Sequence, residues 1–258
     1  MEQFFLNIAS FNVRGPCDEY PYNWENRRSR VRQIFKDFKF HICGLQEPFK
    51  NQVDDIIADS VYTYIGGGRD DFKDAGEHSC IVYDTTRLEL LAHGTFGLSE
   101  TPDIPGVRSW NSSCPRIATW GRFKDKLSGK ELIVYNTHLD DISETARVNG
   151  IKMVVAHARK HAAGVPMILE GDFNAYPDSE TYAIAAELLK DSKCTSETSH
   201  KGSENTFHGY GRDQERNEPI DYIFTTDNIR VHSHETVNVK PDGDFASDHF
   251  PVLTQISF

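Results

Sequence analysis

Short apolar runs rich in β-branched and aromatic residues recur along the chain, each bounded by Gly, Pro, Asn or Asp. This pattern predicts β-strands at 4–13, 40–46, 79–84, 88–94, 117–123, 131–138, 165–172, 220–226, 229–237 and 250–258. Three stretches show helical spacing instead. Trp24 to Phe38 places Val31, Ile34, Phe35 and Phe38 on one face. Ser143 to Ala162 begins with a hydroxyl suited to capping and carries Val148, Ile151, Val154, Val155 and Ala158. Asp178 to Leu189 follows Pro177 and carries Tyr182, Ala185, Ala186 and Leu189. Several strands follow one another with no helix between them, so the chain is not a simple βαβ repeat. The pattern predicts an α/β domain over residues 1–258, with two packed mixed sheets and helices on their outer faces. Two segments, Ser99 to Pro115 and Ser196 to Pro219, follow neither period and are expected to be functional or mobile loops.

Polar residues interrupt the apolar runs at their ends. Asn12 stands in FNVRG, Glu47 in LQEP, His138 in NTHL, Asp172 and Asn174 in GDFN, Asp221 in IDYIF, and Asp248 and His249 in SDHFPV. Each has a bland reading. A lone Asn or an Asp-x-Asn can be a turn residue bonding its own backbone. Glu47 before Pro48 can be a solvated strand end, and His138 a hydrogen-bonded core histidine. Asp221 is harder to dismiss, because a carboxylate buried without a partner is costly. As a set, strand ends are where a rigid α/β scaffold presents chemistry.

The charge of −11 disfavours tight, non-specific binding to duplex nucleic acid, which is usually achieved by basic surfaces. No apolar run approaches the ~20 residues that span a bilayer. The start, MEQFFLNIASFNV, lacks a basic segment and a small-residue cleavage site, so no signal peptide is read. Five cysteines, an odd number with no CxxC pair, predict free thiols and a cytoplasmic location, with Cys43 and Cys80 as core residues. The same count argues against a zinc knuckle. No obligate protein partner and no membrane partner are expected.

If the strand ends bring Glu47, Asp172, Asp221 and Asp248 together, their repulsion must be offset. Two like charges 4 Å apart cost about 4 kcal/mol at an effective dielectric of 20. A hard divalent cation with oxygen ligands relieves this, Mg²⁺ first and Mn²⁺ second.

The ordered motifs FNVRG, LQEP, NTHL, GDFN, IDYIF and SDHFPV resemble the endonuclease/exonuclease/phosphatase superfamily, which has the deoxyribonuclease-I-like fold. More narrowly, NWENRR, PRIATWGRF and NTHLDD resemble a bacterial branch related to the poly(A) deadenylases and nocturnin. The resemblance implies a four-layer α/β/β/α sandwich and a metal-dependent phosphoester hydrolase. It implies that Glu47 holds the metal, with Asn12 beside it and Asp248 contributing. Asp172 would deprotonate the attacking water and Asn174 would hold the phosphate or the nucleophile. His249, paired with Asp221, would stabilise charge on the phosphoryl oxygens, and His138 would bind a non-bridging oxygen.

Arg116 is a candidate phosphate clamp or else an ion-pair partner. Of the arginines on the first helix, Arg28 is the one expected to face the substrate. Trp24, Trp110, Phe207 and Tyr210 are candidates for stacking on bases. Two substrates compete. The leading one is single-stranded RNA, cut as a 3′–5′ exonuclease, as the deadenylase resemblance suggests. The other is a small phosphorylated nucleotide, sugar or lipid headgroup. Asp140 and Asp141 after NTHL, and the polar stretch GYGRDQERNEP, depart from the deadenylase pattern; the two acids are expected to repel a polyanion. A binding module without activity is a third, weaker reading.

Overall fold

The computed structural model describes residues 4–162, 164–212, 214 and 216–258. Asp213 and Glu215, inside the second expected loop, lie outside the described residues. In chain order the strands are β1 (Leu6–Asn12), β2 (Ile42–Gln46), β3 (Tyr62–Ile65), β4 (Ser79–Asp84), β5 (Leu88–Gly97), β6 (Ile117–Asp125), β7 (Glu131–His138), β8 (Met167–Asp172), β9 (Lys190–Asp191), β10 (Lys201–Gly202), β11 (Asp221–Thr225), β12 (Arg230–Thr236) and β13 (Val252–Ser257). The helices are α1 (Trp24–Phe38), α2 (Lys50–Ile57), α3 (Glu144–His161), α4 (Glu180–Leu188) and the short α5 (Ser192–Thr195). Among the described residues, no helix is long and apolar enough to cross a membrane.

The strands form two mixed sheets. One runs β10-β12-β13-β1-β2-β4-β3 and the other β5-β6-β7-β8-β11-β9. Leu6, Ile8, Ile42 and Ile81 of the first sheet face Leu132, Val134, Ile168 and Ile223 of the second. On the far side of the first sheet, Val31, Ile34 and Phe35 of α1 and Val53 and Ile56 of α2 cover Phe11, Cys43 and Leu45. On the far side of the second, Ile151, Val154 and Val155 of α3 and Ala185 of α4 cover Tyr135, Leu169 and Phe224. This is the arrangement of two packed mixed sheets with outer helices that the strand pattern predicts, and the α/β/β/α sandwich that the resemblance implies. The buried aliphatic side chains each contribute about 1.5–3 kcal/mol of transfer free energy. Ser143 caps α3, its hydroxyl accepting the Ala146 N–H at 3.2 Å.

The strand order also sets the chemistry. β1 runs parallel to β2, bringing Asn12 opposite Gln46. β7 runs parallel to β8, bringing His138 opposite Asp172. β11 runs antiparallel to β8, so its first residue, Asp221, also pairs with Asp172. The ends of these strands therefore converge at one edge of the sandwich. Behind that edge, between the sheets, lies a polar seam. Gln46 Nε2 donates to Asn136 Oδ1 (2.7 Å) and Ser10 Oγ (3.1 Å), and Asn136 Nδ2 donates to the carbonyls of Leu45 and Cys80. Glu170, wholly buried, completes the seam.

Candidate active site

Asn12 bridges the two sheets at the converging edge. Its Nδ2 donates to Glu47 Oε1 and to Asp172 Oδ2, both at 2.9 Å, and its Oδ1 accepts the Arg14 N–H at 3.0 Å. Glu47 adopts a left-handed backbone (φ 70°) just past β2. Its Oε2 accepts the Gly15 N–H at 3.0 Å. Asp248 reaches the same place from the loop before β13. Arg14 lies 3.7 Å from both Glu47 Oε2 and Asp248 Oδ2. Burial, and then the nearby Glu47 charge, push the Asp248 carboxyl above its ordinary range, with His249 and Arg14 opposing.

Asp172 is 1% exposed and lies at the centre. Its Oδ1 accepts the Asn174 N–H at 2.9 Å, which holds Asn174 in a left-handed turn (φ 48°). Burial, and next the Asp221 charge, raise Asp172 to about 7. His249 Nδ1 lies 2.9 Å from Asp221 Oδ2, and its Nε2 lies 3.7 Å from Asp172 Oδ2. Burial opposes charge on this imidazole, but Asp221 and Asp172 outweigh it and raise His249 to about 10. The Thr206 hydroxyl also donates to Asp221 Oδ2.

His138 is held neutral, lowered by burial and then by the positive charge of Arg116 and His249. Asn174 Nδ2 donates to the Leu139 carbonyl and lies 3.1 Å from His138 Nε2. The carbonyl fixes which end of the amide faces the ring, so Nε2 is the acceptor and His138 serves as a stop that orients Asn174.

These residues line a cleft of about 580 Å³, together with Arg14, Arg69, Glu77, Arg116, Asp141, Phe207 and Tyr210. The cleft therefore gathers Glu47, His138, Asp172, Asn174, Asp248 and His249, with Asn12 and Asp221 bonded directly behind them.

Three sequence expectations differ from this placement. Arg28 does not reach the cleft. It is exposed, 3.9 Å from Asp55, and lines a separate groove between α1 and α2. Its neighbour Arg27 is the inward one, because it falls on the same helical stripe as Trp24 and Val31. Trp110 is not among the residues lining the cleft; its carbonyl accepts the Ser143 hydroxyl at 2.7 Å. Trp24 opens α1 and is buried in the core, its Nε1 donating to Asp55. Phe207 and Tyr210 do line the cleft. Arg69 and Glu77, paired at 2.6 Å, enter from the β3–β4 connection, whose polar, glycine-rich sequence carries no periodic signal.

A model of the Endonuclease/Exonuclease/phosphatase family matches residues 9–249. The chain belongs to this family. Its fold matches the endonuclease/exonuclease/phosphatase from Bacteroides vulgatus with a TM-score of 0.94, at 35% identity over 99% of this chain and 100% of that one. The mannosyl-6-phosphatase of Bacteroides thetaiotaomicron matches with a TM-score of 0.90, at 33% identity over 98% of this chain and 100% of that one. The human nocturnin catalytic domain shares the fold alone: TM-score 0.76, 17% identity, 100% of this chain and 97% of that one. Protein angel of Drosophila melanogaster is 30% identical over 104 residues, which are 38% of this chain and 28% of that protein. Family members are phosphoester hydrolases, and this chain is one.

The family generally uses a divalent metal, and the donor set here suits one. Glu47 and Asp248 offer converging carboxylates, and both face the cleft. Asp172, Asp221 and His249 also hold ligand atoms within 4.8 Å of one another. There, however, the imidazolium already sits between the two carboxylates as their counter-charge. Glu47 and Asp248 also have a cation nearby, Arg14 at 3.7 Å, but both face the cleft and offer only oxygen donors, which match a hard cation.

Proposed function

We propose that this chain is a Mg²⁺-dependent phosphomonoesterase acting on a small phosphorylated molecule, a sugar phosphate foremost. The observation that carries this reading is the 33% identity to a mannosyl-6-phosphatase over nearly the whole of both chains. A cleft of about 580 Å³ suits a small ligand. A divalent cation held by Glu47 and Asp248 would neutralise charge on the phosphoryl group; Mn²⁺ is the alternative ion.

Asp172, with its carboxyl raised to about 7, takes the proton of the water that attacks phosphorus. Asn174, locked between Asp172 and His138, positions that water or a phosphoryl oxygen. His249, kept charged by Asp221, donates to the oxygens on which charge develops. A second reading, a 3′–5′ exonuclease on single-stranded RNA, draws on Phe207 and Tyr210 in the cleft wall. Tyr210 is stacked on Tyr22 at 3.8 Å, which leaves only one of its faces for a base.

The deciding experiment sets a panel of sugar, nucleotide and inositol phosphates beside 5′-labelled single-stranded RNA. Both sets are run with Mg²⁺, with EDTA, and with Asp172→Ala. Phosphate release that needs metal and Asp172, with RNA left intact, supports the phosphomonoesterase. A shortening RNA ladder with no phosphate release would make the exonuclease the main activity.

A further inference from the structure

Asp140 and Asp141 follow β7 directly, and the two adjacent acids have different surroundings. Asp140 is buried and hydrogen-bonded on both oxygens. Its Oδ1 accepts the N–H groups of Ile142 (3.2 Å) and Ser143 (2.8 Å). Its Oδ2 accepts the Ser113 N–H (2.9 Å) and hydroxyl (2.8 Å) and Arg116 Nε (3.3 Å). Burial acts to raise its carboxyl, but the backbone N–H of Ser143, the Ser113 hydroxyl and Arg116 outweigh it and hold the carboxyl below the usual range. It is a structural post.

Asp141 stands in the cleft wall with a side chain 53% exposed. Its Oδ1 is fixed by Arg116 Nη2 (2.8 Å) and lies 2.5 Å from Ser113 Oγ. Its Oδ2 accepts no hydrogen bond from any described side chain or backbone group. One charged acceptor is thus pinned in place with a free oxygen, three residues beyond His138 and in the same cleft.

The pinning group answers the question left by Arg116. The guanidinium is 7% exposed and bonded to both aspartates. To clamp a phosphate it would have to give up those pairs. One guanidinium and two carboxylates leave a net charge of −1 on this wall. A second phosphate placed there meets like charge, whereas a hydroxyl finds a strong, preoriented acceptor.

Resting on the phosphomonoesterase reading, we propose that Asp141, held by Arg116, is a specificity-determining residue. It accepts a hydrogen bond from a hydroxyl of the leaving group. It thereby selects a neutral polyhydroxylated alcohol, of which a sugar is the common case, over a polyanion.

The test measures kcat and KM of the full chain with Mg²⁺ on hexose phosphates, on phenyl phosphate and on a single-stranded RNA. Wild type is compared with Asp141→Asn and Asp141→Ala, with thermal melts confirming the fold. Phenyl phosphate has the same phosphoryl group but no leaving-group hydroxyl beyond the ester. A hydrogen bond to a charged acceptor corresponds to about a tenfold to hundredfold change. The expected result is a selectivity for hexose phosphate over phenyl phosphate, in kcat/KM, that falls at least tenfold in Asp141→Ala. The fall should come through KM for the hexose phosphate, with a smaller fall in Asp141→Asn, which keeps an acceptor oxygen. Equal losses on the two phosphates, or an unaltered selectivity, would overturn the assignment while leaving the phosphomonoesterase in place. A wild-type enzyme that cleaves RNA and neither phosphate removes the underlying reading, and the assignment with it.

Discussion

Asp172 is the residue on which the chemistry turns, and its surroundings make two measurable demands. Burial and the Asp221 carboxylate hold its proton to about pH 7, while His249 stays charged to about 10. The base must be ionised and the imidazolium protonated. We therefore expect kcat/KM to rise as pH increases through about 7, to plateau, and to fall as pH approaches 10. A profile flat from pH 5.5 to 8 would remove Asp172 from the role of base. Asp172→Asn should lower kcat by about 10²–10⁴-fold. The same change should not unfold the protein. Since the folded carboxyl titrates above an ordinary Asp, stability from this group is greatest at low pH and is lost as pH rises toward 7. In metal-free buffer at pH 8 the Asn variant should melt at or above the wild-type temperature, which a thermal melt checks directly. Loss of activity together with a large fall in melting temperature would mean that the carboxylate is structural.

Of the elements, α1 was the most legible in sequence and also the most instructive. Its apolar stripe gives the helix, Trp24 to Phe38, with its observed ends. Of the arginines beside that stripe, sequence alone suggests Arg28 as the one turned toward substrate. The spacing Trp24, Arg27, Val31 held the missing signal, since it places a guanidinium in the buried stripe. Arg27 is 0% exposed and its nitrogens donate to the carbonyls of Tyr22, Val13, Ala246, Arg14 and Gly15. It joins α1 to the loop after β1 and to the loop that carries Asp248, so it fixes the segment that follows Asn12 against the one that carries Asp248. Arg27→Met should cost about 3–5 kcal/mol, because buried acceptors lose their donor. Arg28→Ala should stay within about 0.5 kcal/mol. Urea denaturation of the two variants checks both, and similar midpoints would contradict the assignment of the inward arginine. The elements that the pattern did not mark are short. The eight residues of α2 bury only Gln52, Val53 and Ile56, and β3 has four residues with one buried. Neither is long enough for a period to emerge from so few apolar positions.

Across the whole molecule, the reacting groups are legible in sequence and the walls around them only in part, through Arg116, Phe207 and Tyr210, for one physical reason. Asn12, Glu47, His138, Asp172, Asp221 and His249 sit at or just beyond strand ends, so local pattern and strand order suffice to gather them. Asp18, Arg69 and Glu77 reach the cleft on loops whose positions depend on how the two sheets close. That closure has its own unusual feature, the seam beneath the site. A Cβ on Gly44 would stand 2.6 Å from Glu170 Oε1 and 2.7 Å from Asn136 Cγ, so glycine there makes room for a carboxyl between the sheets. Neither Glu170 oxygen has a hydrogen-bond partner among the described residues. Burial drives this carboxyl well above its ordinary range. The folded protein therefore keeps the proton on Glu170 to higher pH than the unfolded chain, which ionises it above about pH 4.3. The folded state binds one more proton, so stability from this group is full below pH 4.3 and declines as pH rises toward the folded value. Glutamine is neutral in both states and nearly the same shape. The stability of Glu170→Gln relative to wild type should thus grow with pH, by up to about 1.4 kcal/mol per unit. Urea unfolding in EDTA at pH 5, 6.5 and 8 measures it. Curves that remain parallel across that range would mean that Glu170 keeps its charge in the fold and that some cation must be paired with it.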